Sequence, residues 1–158
     1  MFRFKQCFSL ARNKWCTLNL HTINTRAMAP DSKVKIAVVQ LNSTEDKESN
    51  FAIASGLVQN ASREGAKMAF LPECFDMICP TKKQTIENGE PIDGPAVNRY
   101  RELAKSNKIW LSLGGLHEKD IKSDDSRLFN AHIILNDSGY VLLRCCCFSL
   151  NNSYNESI

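Results

Sequence analysis

The feature that most constrains this chain is the run Met68-Ala69-Phe70-Leu71-Pro72-Glu73. Proline has no N–H to give to a sheet ladder, so a central strand has to stop when it meets one. A short apolar strand therefore halts at Pro72 and hands over one carboxylate, Glu73, at its carboxyl end. Open α/β sheets place their chemistry at that end.

The flanking sequence fits such a sheet. Residues 34–40 form a β-branched apolar run, read as a buried strand. Ser43 and Thr44 are placed to cap a following helix, with Asp46 in position for a capping-box-like contact. Phe51, Ala54, Leu57, Val58 and Ala61 recur at helical spacing, and Gly65 is the expected stop. Residues 74–95 carry Pro80, Pro91, Gly94 and Pro95 and read as a long functional loop with a short helix near 82–87. Gly94-Pro95 opens a second helix whose apolar stripe is Val97, Tyr100, Leu103 and Ala104. Residues 109–115 form a third strand. Residues 129–135 and 140–143 form a hairpin across Asn136-Asp137-Ser138-Gly139. The alternation predicts an α/β fold, and the closing hairpin makes the sheet mixed.

Three parts follow: a leader over 1–30, a folded body over 33–144 and a tail over 145–158. The whole chain has 158 residues, 43% of them hydrophobic and 23% charged, which suits one soluble domain. No apolar run approaches the roughly 18–20 residues of a membrane span. The net charge is +3, but Arg3, Lys5, Arg12, Lys14 and Arg26 all lie in the acid-free leader, so the remainder carries −2. A mildly acidic body gives no case for nucleic acid. The leader reads as a mitochondrial transit peptide: Phe4, Phe8, Ala11, Trp15 and Leu18 share a helical face, basic residues flank it, and Ser9, Thr17 and Thr22 supply hydroxyls. Arg12 and Lys14 break the only stretch that could serve as a secretory signal. Met28 offers a start for a shorter, cytoplasmic form.

Seven cysteines raise the question of a metal, and their spacing answers against it. Cys74 and Cys79 are separated by four residues rather than the two of a zinc knuckle, Cys7 and Cys16 lie in the leader, and Cys145, Cys146 and Cys147 are adjacent. Free thiols are expected, and no metal.

Glu73 is the candidate general base, because a carboxylate at a strand end in a partly apolar pocket can take up a proton. His117-Glu118 lacks the second histidine of a zinc-protease helix, position 121 being isoleucine, and reads as a surface loop pair. His132 reads as a packing or pocket-wall residue. Gly114-Gly115 has no Gly-Lys-Ser/Thr after it and reads as a tight turn where the backbone comes close to something.

Taken together, Lys35-Ile36-Ala37-Val38-Val39-Gln40, Gly65 through Glu73, Phe75-Asp76, Trp110 through Glu118, and Phe129-Asn130-Ala131-His132 resemble the N-terminal part of the nitrilase-like carbon–nitrogen hydrolases. The resemblance is to the Nit branch, which includes the deaminated glutathione amidases and the nitrilase half of the fused nitrilase–histidine-triad proteins. It implies a four-layer α-β-β-α sandwich, assembled as dimers or larger oligomers, that hydrolyses the amide of a small carboxylated substrate with no cofactor or metal. It also implies Glu-Lys-Cys catalysis: the cysteine attacks the amide carbon, the glutamate takes the thiol proton, and the lysine steadies the oxyanion. Only the glutamate maps here, onto Glu73. The lysine motif should fall near Cys145-Cys146-Cys147, yet no lysine follows Lys122, and the nucleophile belongs further downstream. Cys145 to Cys147 match no nucleophile motif, and Cys74 directly follows the base in sequence. Lys82, Lys83 and Arg99 are candidates for substrate carboxylates by loop position. The expectation is an amidase-family chain that is inactive as written, a truncated isoform with an unrelated tail. Its alternative roles are pairing with full-length subunits or a non-functional fragment.

Overall fold

The backbone follows the expected alternation, with its turning points set by local hydrogen bonds. The computed structural model describes residues 33–119 and 128–150. The leader over 1–30, Met28 and residues 151–158 of the expected tail lie outside the described residues.

Strand β1 (Ile36–Val38) leads to helix α1 (Lys47–Arg63), then to β2 (Met68–Phe70). A short helix α2 (Lys82–Asn88) and a longer α3 (Pro95–Asn107) follow. Strands β3 (Trp110–Lys119), β4 (Leu128–Leu135) and β5 (Val141–Leu150) complete the order. The five strands lie side by side in sequence order. β1, β2 and β3 are parallel, while β4 and β5 are antiparallel additions, so the sheet is mixed as predicted.

The helix ends show where local chemistry overrides pattern. Asp46, not Ser43 or Thr44, caps α1, its carboxylate accepting the Ser49 N–H at 3.0 Å. The Thr44 hydroxyl accepts the Asp46 N–H at 3.2 Å, one step ahead of the helix, while Asn50 holds the Thr44 backbone: Asn50 Oδ1 accepts the Thr44 N–H at 3.0 Å, and Asn50 Nδ2 donates to the Thr44 carbonyl at 2.8 Å. Gly65 ends the helix as expected, at φ +84°. The Ala66 N–H reaches the Ala61 carbonyl and the Gly65 N–H reaches that of Ser62, a Schellman arrangement.

Helix α3 begins at Pro95 behind Gly94, which offers no capping side chain. The cap comes from outside the helix: Glu90 Oε2 accepts the Ala96 N–H at 2.8 Å, and Glu90 Oε1 pairs with Lys47 of α1 at 2.5 Å. Burial pushes the Glu90 carboxyl up. The hydrogen bonds from Lys47 and Ala96, with the charges of Lys47 and Arg99, outweigh it and hold the group below its ordinary range. A depressed carboxyl stabilises above its unfolded pKa, about 4.3, and that stability is lost as pH falls through the folded value. Glu90→Gln is therefore expected to lower stability by about 1–2 kcal/mol near neutral pH. In urea melts, that gap should narrow once pH drops below about 4.3; a gap independent of pH would show that the charge contributes nothing.

α1 and α3 lie side by side on one face of the sheet. Tyr100 receives Phe51 and Phe75 edge-to-face at 5.1 and 5.0 Å, the geometry aromatic quadrupoles favour. Ala54, Val58, Val97 and Ala104 meet Ala69, Leu111, Leu113, Ile133 and Leu135 from the sheet, and all of these are buried. Because strand side chains alternate, the intervening positions point the other way. Along that second face, Val38, Phe70, Ser112, Ile134 and Leu143 are in register as one row. Ile36 is 56% exposed there and Val38 82%. The described residues thus form one mixed sheet with helices on one side of it.

Two strands run longer than the sequence pattern predicts. β3 does not turn at Gly114-Gly115 but continues to Lys119, absorbing the pair as a register shift against β4 between Leu113 and Leu116. His117-Glu118 therefore lies on a strand and not on a surface loop, and Glu118 is only 4% exposed. β5 continues past Arg144 to Leu150, so the backbone has no break where the body was expected to end. Arg144 reaches across the sheet to grip Glu118 with two bonds, Nε to Oε2 at 2.8 Å and Nη2 to Oε1 at 2.6 Å.

Candidate active site

β2 ends at Phe70, but its chain stays zipped to β3. The Leu71 N–H donates to the Ser112 carbonyl at 2.9 Å; Pro72 has no N–H; the Cys74 N–H donates to the Gly115 carbonyl at 2.9 Å. Between those bonds, Glu73 forms an isolated parallel bridge with Gly115. The close approach depends on the paired glycines. A Cβ on Gly114 would lie 2.5 Å from the carbonyl oxygens of both Leu71 and Pro72. A Cβ on Gly115 would lie 2.5 Å from Asn130 Oδ1 and 3.1 Å from Glu73 Cγ. The sequence reading of Gly114-Gly115 had the close approach right and the turn wrong.

The residue after the carboxylate is bent into an uncommon conformation. Cys74 sits at φ +53°, in the left-handed region, which L-residues other than Gly, Asn and Asp seldom occupy. The next residues are anchored below: Phe75, Asp76 and Met77 are buried, and Asn50 Nδ2 donates to the Asp76 carbonyl at 3.0 Å. Asp76 Oδ1 stands 3.6 Å from His117 Nδ1, too far for a hydrogen bond. Glu73 is thus held between a zipped strand end and a buried anchor, with its own side chain exposed.

That side chain has one partner among the described residues. Asn130 of β4 donates through Nδ2 to Glu73 Oε1 at 2.6 Å. Two residues along the same strand, His132 Nε2 lies 2.9 Å from Ser112 Oγ. Ala131 and Ile133 between and beyond them are buried on the helix side, so Asn130 and His132 stand on the other face of the sheet. His132 is thus a side chain satisfied within the sheet by Ser112. Asn130 enters the sequence reading only through the resemblance, because no local pattern ties it to a carboxylate 57 positions away.

The other groups singled out are engaged elsewhere. Arg99 Nη1 binds both oxygens of Glu48 at 2.6 Å, and its guanidinium stacks over Phe51 at 4.7 Å. Lys83 is solvated, 3.9 Å from Glu87. Lys82 lies on α2. Cys146 Sγ lies 3.7 Å from Glu118 Oε2. A cavity of about 310 Å³ between α3 and the β4–β5 turn, lined in part by Arg101, Lys105 and Tyr140, includes none of Glu73, Asn130 or His132. Among the described residues no group of three His, Cys, Asp or Glu side chains could hold a metal ion, and no helix is long and apolar enough to cross a membrane.

Cys74 and Cys146 are poor nucleophiles where they stand. Burial pushes Cys146 up to about 11, the Glu118 charge adds to it, and Arg144 only partly offsets this. Burial, then the charges of Glu73 and Asp76, raise Cys74 as well. Because only the thiolate reacts, Cys146 is expected to alkylate with iodoacetamide near pH 8 about 10²-fold more slowly than an unperturbed thiol. Peptide-resolved mass spectrometry checks this, and labelling as fast as that of a free thiol would contradict it.

This arrangement can be compared with known proteins. Residues 35–155 match the carbon–nitrogen hydrolase family. The chain is 48% identical over 109 residues to the nitrilase and fragile histidine triad fusion protein NitFhit of Drosophila melanogaster, a match covering 69% of this chain and 23% of that protein. It is 42% identical over 123 residues to the deaminated glutathione amidase of Rattus norvegicus, covering 74% of this chain and 38% of that one. The crystal structure of the C. elegans NitFhit protein superposes with a TM-score of 0.64 at 36% identity, over 72% of this chain and 28% of that one. The chain therefore spans well under half the length of these relatives.

Proposed function

The chain belongs to the carbon–nitrogen hydrolase family, and from that premise we propose that Glu73 is the general base of an amidase site of the deaminated glutathione type. The observation that carries this reading is the placement of Glu73. One carboxylate leaves the carboxyl end of a parallel strand, is held on both sides by β3, and is oriented by Asn130. In a C–N hydrolase, such a group takes the proton of an attacking thiol and later that of the hydrolytic water. The substrate class is a small carboxylated amide.

Among the described residues only the base of the Glu-Lys-Cys set finds a counterpart on this reading. No lysine follows Lys122, Cys74 and Cys146 have raised thiols, and Arg99 is committed to Glu48. A polypeptide of these residues by itself is therefore inactive on this reading. The test is turnover of deaminated glutathione by purified 1–158: none is expected, and turnover abolished by Glu73→Gln would overturn the inactivity.

A second reading rests on a separate observation, the apolar sheet face carrying Ile36 and Val38. It is a surface for pairing with a longer subunit of the same family or with another copy. Co-elution of tagged 1–158 with a full-length relative supports it, and a monodisperse monomer that captures nothing argues against it. Residues 1–30 are proposed to direct the chain to mitochondria, with Met28 starting a cytoplasmic form. N-terminal sequencing of the two pools tests that.

A further inference from the structure

Glu73 is exposed at the end of a strand, and an exposed glutamate samples several rotamers unless something fixes it. One hydrogen bond restricts this one, and a glycine makes room for it. Asn130 Nδ2 donates to Oε1 at 2.6 Å, at the short end for a charge-assisted N–H···O bond. Gly115, lying between them on β3, leaves the space in which they meet: a Cβ there would fall 2.5 Å from Asn130 Oδ1 and 3.1 Å from Glu73 Cγ. The carbonyl end of the Asn130 amide therefore lies against the Gly115 backbone, and its NH2 end faces the carboxylate. An ionised carboxylate only accepts, so this is the orientation in which the amide and the acid are complementary.

We propose that Asn130 is a positioning residue for Glu73: it holds Oε1, and so assigns Oε2 as the oxygen that takes the proton. The inference rests on the reading of Glu73 as general base and adds which of its two oxygens acts and what aims it. Three strands cooperate in this. β2 delivers the acid, β3 provides the glycine gap, and β4 provides the amide. The neighbouring His132 takes no part, since its Nε2 is committed to Ser112 Oγ.

The test is made on the intact 158-residue chain, labelled with 15N-asparagine and 13C-glutamate. A scalar coupling through the hydrogen bond, between Asn130 Nδ2 and Glu73 Cδ, is expected in the unsubstituted chain. Side-chain couplings should report one dominant Glu73 rotamer. Asn130→Leu keeps the approximate volume and removes the donor without placing a second carboxylate beside Glu73. In it the coupling disappears, and the Glu73 rotamers average as they do in Asn130→Ala. A mere packing role would leave the Glu73 rotamer unchanged in Asn130→Leu. That result, or the absence of the coupling in the unsubstituted chain, overturns the proposal. If Asn130→Ala fails to fold, the unsubstituted chain and Asn130→Leu decide the matter. These readouts do not require turnover. Their failure in a protein whose amidase activity still depends on Glu73 removes the positioning role alone. Activity indifferent to Glu73→Gln removes the base reading and this inference with it.

Discussion

Replacing Glu73 with glutamine is expected to lower kcat by about 10²–10⁴-fold in any longer polypeptide that carries this domain and turns over an amide. Glutamine is nearly isosteric and can still accept the Asn130 N–H on its carbonyl oxygen, so the contact at 2.6 Å survives in form. The loss is the ability to take a proton. The effect is therefore expected on kcat, with KM little changed, since among the described residues the side chain is hydrogen-bonded to Asn130 alone. Circular dichroism and urea midpoints should match those of the parent, since Glu73 is exposed and its backbone bridge to Gly115 does not depend on its carboxylate. Steady-state kinetics on the amide decide it, and a loss under about tenfold would place the base elsewhere.

The second large effect separates two adjacent glycines. Gly114→Ala puts a methyl group 2.5 Å from two backbone oxygens, those of Leu71 and Pro72. Neither oxygen can rotate away, so the strand end itself has to move. Overpacking of that kind costs about 1–3 kcal/mol, and here the upper end is expected. Gly115→Ala instead meets side-chain atoms, Asn130 Oδ1 at 2.5 Å and Glu73 Cγ at 3.1 Å. Those atoms can swing aside. Gly115→Ala is therefore expected to lose less stability than Gly114→Ala while scattering the Glu73–Asn130 contact. Urea denaturation read beside the Glu73 and Asn130 side-chain resonances distinguishes the two. Equal destabilisation, with the contact intact in both, would contradict the geometry.

What the sequence made legible follows from the range of each interaction. The two strand–helix units, Gly65 as helix stop, Pro95 at the first turn of α3 and the hairpin strands are local signals, and they were readable because their partners lie within a few residues. Glu73 was readable because Pro72 marks the strand end. The cap of α1 was misplaced because the Thr44 hydroxyl accepts the Asp46 N–H and Asp46 itself takes the Ser49 N–H, a division of labour that a search for the nearest hydroxyl does not see. The buried role of Glu118 was missed because its partner, Arg144, is 26 positions away, and an isolated His-Glu pair looks solvated. The Gly114-Gly115 pair shows the same limit from the other side. Glycine announces that something comes close, but whether the chain turns or runs straight depends on what is beside it.

The open face of the sheet has a thermal consequence. Val38, 82% exposed, and Ile36, 56% exposed, are already substantially hydrated in the folded chain. Unfolding therefore creates little new apolar hydration from that face. The heat-capacity increment should fall short of the about 12–15 cal/mol/K per residue usual for globular domains. Less curvature follows in the dependence of stability on temperature, so the fold would weaken gradually on both heating and cooling instead of holding a sharp optimum. Anything that comes to cover the face would restore the missing heat capacity as it binds.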